Sequence, residues 1–229
     1  NGTGTVTMTT NSVTGDVIPG KLEGTNFTDS LLVGHSTTGT LNAATSNTGV
    51  GIAALDAITS GDKNTAVGYG AATGLTTTSN NVAVGYIASQ QLANSAHGGN
   101  VAIGAQADLY NVTGHDNVAV GYAALGGASG QSHEGNTAIG RAALSAVTTG
   151  AKNIGLGNGA GNNITSGSGN VVIGNADVSS ATGDDQLSIS DGEDGSVVWM
   201  TGASTGNVEI NEVWNPSLST TGKAFVMGF

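Results

Sequence analysis

The sequence predicts an all-β chain, a parallel β-roll or β-solenoid of about nine 17–19-residue coils with a β-rich N-terminal lead-in and a C-terminal cap. Three observations predict it. A short apolar pair followed by glycine recurs as Leu32-Val33-Gly34, Val50-Gly51, Ala66-Val67-Gly68, Ala83-Val84-Gly85, Ala102-Ile103-Gly104, Ala119-Val120-Gly121, Ala138-Ile139-Gly140, Gly155-Leu156-Gly157 and Val172-Ile173-Gly174. Successive glycines lie 17, 17, 17, 19, 17, 19, 17 and 17 residues apart, and a fixed period of this length marks a stack of like structural units. An asparagine stands four residues before the glycine in eight of these nine copies: Asn47, Asn64, Asn81, Asn100, Asn117, Asn136, Asn153 and Asn170. Ser30 takes that place in the first copy. Finally, 39 glycines in 229 residues, with 9% charged and 4% aromatic residues, do not describe an ordinary globular core. The apolar residues nevertheless keep fixed positions, which argues for order by stacking and against disorder.

Taken in order, residues 1–29 form the lead-in. Gly4-Thr5-Val6-Thr7-Met8-Thr9 alternates threonine with apolar residues, a strand signature. Pro19-Gly20 and Gly24-Thr25-Asn26 then punctuate short extended pieces. The repeat domain covers 30–177. Strand alternation places Val82, Val84 and Tyr86 on one face and Ala83 and Gly85 on the other. The bulky face is expected to fill the coil, and the bare Ala/Gly face to pack against neighbouring subunits, since a surface without bulk admits another backbone. A second small-residue piece follows each glycine, as in Ala71-Ala72, Ile87-Ala88-Ser89, Ala123-Ala124-Leu125 and Ala142-Ala143-Leu144. Each coil is thus expected to hold two short strands and two polar turns. Residues 178–229 lose the glycine mark and offer three strand signals, Gln186–Ser190, Ser196–Met200 and Asn207–Ile210, read as a cap over the last open rung.

Formal net charge is -11, and no Lys or Arg lies between Lys152 and Lys223. Nucleic acid and anionic membranes both call for a basic patch, so neither is an expected partner. Without cysteine there is no disulfide framework and no thiolate zinc site. The chain begins with Asn1 and shows neither a leader nor an apolar run of about 18 residues. A soluble processed form or fragment, without membrane insertion, is expected.

Candidate chemistry is sparse. Tyr69, Tyr86 and Tyr122 each follow a mark glycine and are expected to stack in one column, either walling the roll or offering platforms for sugars. Together with Trp199 and Trp214 in the cap they are the candidate receptor contacts. His97, His115 and His133 are 18 residues apart and are expected along one loop edge, mostly solvated; no carboxylate or cysteine recurs beside them to complete a metal site. Asp184-Asp185 and Asp191-Gly192-Glu193-Asp194 lack the spacing of known calcium loops and read as acidic turns. No catalytic residue, metal ligand or cofactor site is assigned. The repeat residues Asn64, Val67, Gly68, Asn81, Val84, Gly85, Asn100, Ile103, Gly104, Asn117, Val120, Gly121, Asn136, Ile139, Gly140, Asn153, Gly157, Asn170 and Gly174 are assigned structural roles, the asparagines as turn formers or stacked amide ladders.

The Asn-x-[Ala/Val]-[Val/Ile]-Gly unit resembles the left-handed parallel β-roll repeat of trimeric autotransporter adhesin heads. The longer wording Asn64-Thr65-Ala66-Val67-Gly68-Tyr69-Gly70-Ala71 more closely resembles repeats of bacteriophage tail fibres, those of cyanophages in particular. The likeness covers roughly residues 30–177. Adhesin heads have shorter coils than those here, which favours the phage fibre. The resemblance implies a left-handed roll, a homotrimer of three rolls side by side, a place in the virion beside other tail proteins, and attachment to a host cell-surface glycan or protein without enzymatic activity. The alternatives are a bacterial adhesin head displayed at the cell surface, a polysaccharide depolymerase tailspike, and an ice-binding solenoid. The last would need a flat Thr-x-Thr face, whereas the threonines here crowd the turns.

Overall fold

A computed structural model describes residues 20–24, 26–34, 38–93 and 97–210. The predicted strand at Gly4–Thr9, Trp214 and the tail from Asn215 lie outside the described residues. Those described are all-β, without a helix. After β1 (Gly20–Gly24) and β2 (Phe27–Val33), the two-residue β3 (Ala44–Thr45) pairs with β2 beside the main ladder. The repeat strands are β4 (Thr48–Val50), β5 (Thr65–Val67), β6 (Val82–Val84), β7 (Val101–Ile103), β8 (Val118–Val120), β9 (Thr137–Ile139), β10 (Ile154–Leu156) and β11 (Val171–Ile173). β12 (Leu187–Ser190), β13 (Val198–Gly202) and β14 (Val208–Ile210) complete the sheet.

From β2 through β12 each repeat strand pairs in parallel with the next, giving a β-solenoid of about nine turns. Register follows the repeat: Val67 lies beside Val84, Val84 beside Ile103, and Ile103 beside Val120. The ladder ends antiparallel at both sides, with β1 on β2 and with β13 and β14 beyond β12.

One buried amide fixes each coil to the next. The side-chain oxygen of Asn64 accepts the backbone N–H of Asn81 at 3.0 Å and its amide N–H at 3.0 Å. Asn81 does the same for Asn100, Asn100 for Asn117, and so on to Asn170. The second amide hydrogen reaches a backbone carbonyl in its own coil, for example Gly150 from Asn136 at 3.0 Å and Gly167 from Asn153 at 2.9 Å. Ser30 starts the column by accepting the N–H of Asn47 at 2.8 Å. Gln186 ends it, donating both its backbone and side-chain N–H to Asn170 at 2.9 and 3.1 Å. The solenoid therefore continues one rung past the last glycine mark. One more methylene lets glutamine reach the same acceptor, and no search for asparagine would find it.

The mark glycines are obligatory on two grounds. Gly85 has φ +142°, a region L side chains rarely adopt. A Cβ there would also stand 2.6 Å from the Gly104 carbonyl carbon and 3.0 Å from the Ala105 nitrogen. Stacked backbones approach closely along this edge.

Two expectations are corrected. The second piece of each coil is not a strand. Alternate residues there are left-handed, as at Ala53 and Leu55, Ile87 and Ser89, or Ala123 and Leu125. That conformation breaks the strand, yet the coils still bond: Leu125 N–H donates to the Ala143 carbonyl at 3.0 Å and Leu144 N–H to that of Ala160 at 3.0 Å. The two faces of the repeat strand are also reversed. Ala66, Ala83, Ala102, Ala119 and Ala138 are fully buried, whereas Ile103 is 41% exposed. Alanine faces inward because the opposite wall, made by the turn piece, carries the bulk in Leu55, Leu125 and Leu144. The section is thin enough for one large residue and one small one. Gly155 shows the limit, since a Cβ there would lie 2.7 Å from Leu144 Cγ. Where the turn piece shrinks to Gly161, the inward strand residue grows to Val172; a Cβ added at Gly161 would stand 3.0 Å from Ile164 Cδ1 and Leu144 Cδ2 and 3.2 Å from Val172 Cγ2.

Gly85→Ala combines left-handed strain with backbone overlap and is expected to cost about 3 kcal/mol or more. The check is a lower urea midpoint, with Ala83→Ser as a milder inward comparison. Asn117→Ala leaves the buried N–H groups of Asn136 and the His133 carbonyl without partners. At about 1–3 kcal/mol per orphaned group, it should destabilise at least as strongly in the same assay.

Candidate functional surface

With alanine inside, the branched residues of the repeat strands face out. Val67, Ile103, Ile139, Leu156 and Ile173 are exposed, and Val84 and Val120 are half-buried. The first residue of each strand points the same way, so Val82, Val101, Val118, Ile154 and Val171 line a second column beside the first, interrupted by Thr48, Thr65 and Thr137. At about 4.8 Å per rung, these columns make an apolar stripe roughly 40 Å long. Contiguous apolar surface on this scale marks an interaction site.

The tyrosine column runs along one border of the stripe. Tyr69 and Tyr86 stack with ring centroids 5.6 Å apart and planes inclined by 17°. Ala105 interrupts the column, so Tyr122 stands apart from that pair, with the Arg141 guanidinium 5.9 Å from its ring centroid. All three are about half exposed. Trp199 is 48% exposed on β13, in the antiparallel cap and off the tyrosine column. Trp214 lies outside the described residues.

The histidine column divides. His97 and His115 adjoin, with centroids 5.0 Å apart. His115 binds Asp116 through Nδ1 at 2.9 Å and Glu134 through Nε2 at 3.1 Å. His133, predicted beside them, is buried in the solenoid instead. The 19-residue coil turns it inward. No group of three or more His, Asp or Glu among the described residues is arranged to hold a metal ion.

The acidic turns organise the cap. Asp191 Oδ1 accepts backbone N–H groups from Glu193, Asp194 and Gly195, while Oδ2 accepts that of Val197 at 2.8 Å. The bonds from Val197 and Gly195 hold its carboxyl below the ordinary carboxylate value. Asp184 Oδ1 accepts the Ser168 N–H at 2.7 Å. Where cap and solenoid meet, a polar recess of about 290 Å³ opens between Asn162, Asn175, Asp177, Asp194 and Val198. Its polar walls and open mouth suit a hydrated ligand better than an apolar one.

No protein-family model, curated protein or solved structure matches the chain. Among the described residues no helix is long and apolar enough to cross a membrane.

The depressed value of Asp191 sets a pH sign. Its contribution to the cap is present above the unfolded value of 3.8 and is lost as pH falls through the lower folded one. Amide exchange at Gly195 and Val197, corrected for intrinsic rates, should therefore accelerate in Asp191→Ala at neutral pH. The wild type should show that acceleration only in acid.

Proposed function

We propose that this chain is a structural and attachment segment of a homotrimeric bacteriophage tail fibre or receptor-binding protein. It recognises a glycan or protein on the bacterial cell surface and carries no enzymatic activity of its own. The observation that supports this reading is the outward apolar stripe. A long column of Val, Ile and Leu is costly to leave in water, and its regular rungs suit a partner built on the same spacing. Two further copies of the chain meet that requirement, their stripes converging on one axis. The contact face is thus the bulky one, with the bare Ala/Gly face used up inside each coil. The resemblance of the repeat wording to tail-fibre repeats adds the virion setting and its other tail proteins. Trp199, the tyrosines bordering the stripe and the polar recess at the cap are the surfaces left for a receptor.

Light scattering should return a mass near three times the 22.2 kDa of the chain. Ile103→Glu, which places a charge in the middle of the stripe, should shift it toward the monomer. Labelled trimer should be retained on susceptible cells from a bacterial panel, and Trp199→Ala should lower that retention without changing the mass. A monomeric wild type would overturn the trimer; a trimer retained by no cell would overturn the attachment role.

A further inference from the structure

Apart from the asparagine ladder, the turn-piece side of the repeat interior turns polar chiefly around one level. Four residues after the mark glycine, the inward position holds Leu55, Leu125 and Leu144, but Ala72, Ser89 and Asp108 in the three coils between Leu55 and Leu125. Three residues further on it holds Ile58, Leu75, Leu92, Val147 and Ile164, but Asn111 in the coil of Asp108. In the next coil the corresponding Ala128 is exposed. The longer coil bulges outward there and brings His133 inside in its place.

These substitutions answer one another. Asn111 donates its amide to Asp108 Oδ2 at 3.1 Å and accepts the Gly114 N–H at 2.8 Å. The other carboxyl oxygen, Oδ1, lies 3.8 Å from His133 Nε2, with both side chains 1% exposed. Neither atom has another hydrogen-bond partner, and Ser89 Oγ is likewise buried and unpaired. His133 Nδ1 faces Asn117 Oδ1 at 3.5 Å. The groups around the pair, Ser89, Asn111 and Asn117, are uncharged. Of the other ionisable groups near in sequence, Tyr110 is half-buried, and Asp116 and Glu134 are solvent-accessible and both engage His115.

We propose that Asp108 and His133 hold one proton between them inside the solenoid, so that this polar rung is neutral and its stability does not change across mildly acid pH. The geometry requires it. With Nδ1 facing the Asn117 side-chain oxygen, an acceptor, the neutral ring keeps its own N–H there, so Nε2 presents a lone pair to Asp108 Oδ1 at 3.8 Å, and two buried acceptors face each other unless one of them takes a proton. With none, a carboxylate is buried alone; with two, an imidazolium is.

The proton count explains the indifference to pH. Burial raises Asp108 from 3.8 to about 7 and lowers His133 from 6.5 to about 4. In the unfolded chain between those limits, Asp108 is ionised and His133 charged, which is one proton for the two residues. In the folded chain the pair also holds one. Folding changes the proton's location and not the number, so linkage gives no slope.

Single variants should break the balance in opposite senses. In His133→Gln, Asp108 stays buried with a raised value. Its contribution is present below 3.8 and is lost as pH rises toward about 7. In Asp108→Asn, His133 stays buried with a lowered value. Its contribution is present above 6.5 and is lost as pH falls toward about 4. Relative to wild type, urea unfolding should show the folding constant changing by up to about tenfold per pH unit within that window, in opposite directions, with the double variant flat. Single variants that run parallel to wild type would overturn the proposal. Should a variant not fold, the wild type answers alone: the Asp108 carboxyl ¹³C signal should move near 7 and the His133 ring ¹⁵N signals near 4, leaving both unchanged across the window between. Transitions at the ordinary values, Asp108 near 3.8 and His133 near 6.5, would overturn it.

Discussion

Every coil depends on one buried amide. The asparagine oxygen accepts two N–H groups from the coil that follows, and its nitrogen spans its own coil to a backbone carbonyl. Few large side chains are available to hold such a thin section, so polar ladders carry what hydrophobic volume cannot. The identity of the residue is constrained because acceptor, donor and backbone must meet at fixed distances. Serine can begin the column, where only an acceptor is needed. Glutamine can end it, where the amide donates downward and no further coil asks for its oxygen in the same way.

The thin section also explains why bulk is distributed as it is. The section pairs large residues of the turn piece with small residues of the strand, and at Gly161 and Val172 the small residue stands on the turn piece and the larger one on the strand. Once alanine faces inward, the branched residues that favour strand geometry are left on the outside. The apolar stripe is thus a consequence of the packing, and the assembly proposed here gives it a partner. The same economy makes the level of Asp108 and His133 unusual: two inward positions are surrendered to polar groups, and an outward bulge in the following coil supplies the histidine that answers them.

Much of this was legible in the chain itself. The spacing of Asn64, Asn81 and Asn100 and of Gly68, Gly85 and Gly104 announced the solenoid, its period and its register, because these residues are chosen by contacts with copies of themselves. Sequence alone could not say which side of the strand is inside. Alternation distinguishes Val82 and Val84 from Ala83 but is symmetric about the sheet, and the choice rests on what faces the strand across the coil. That wall is built by left-handed residues such as Leu125 and Leu144, whose conformation leaves no periodic signal. For the same reason Gln186 hid a rung and His133 looked like a surface residue until the longer coil turned it inward. Repetition along the chain determined how the coils stack; only the tertiary fold, by closing each coil on itself, decided what they enclose and what they show.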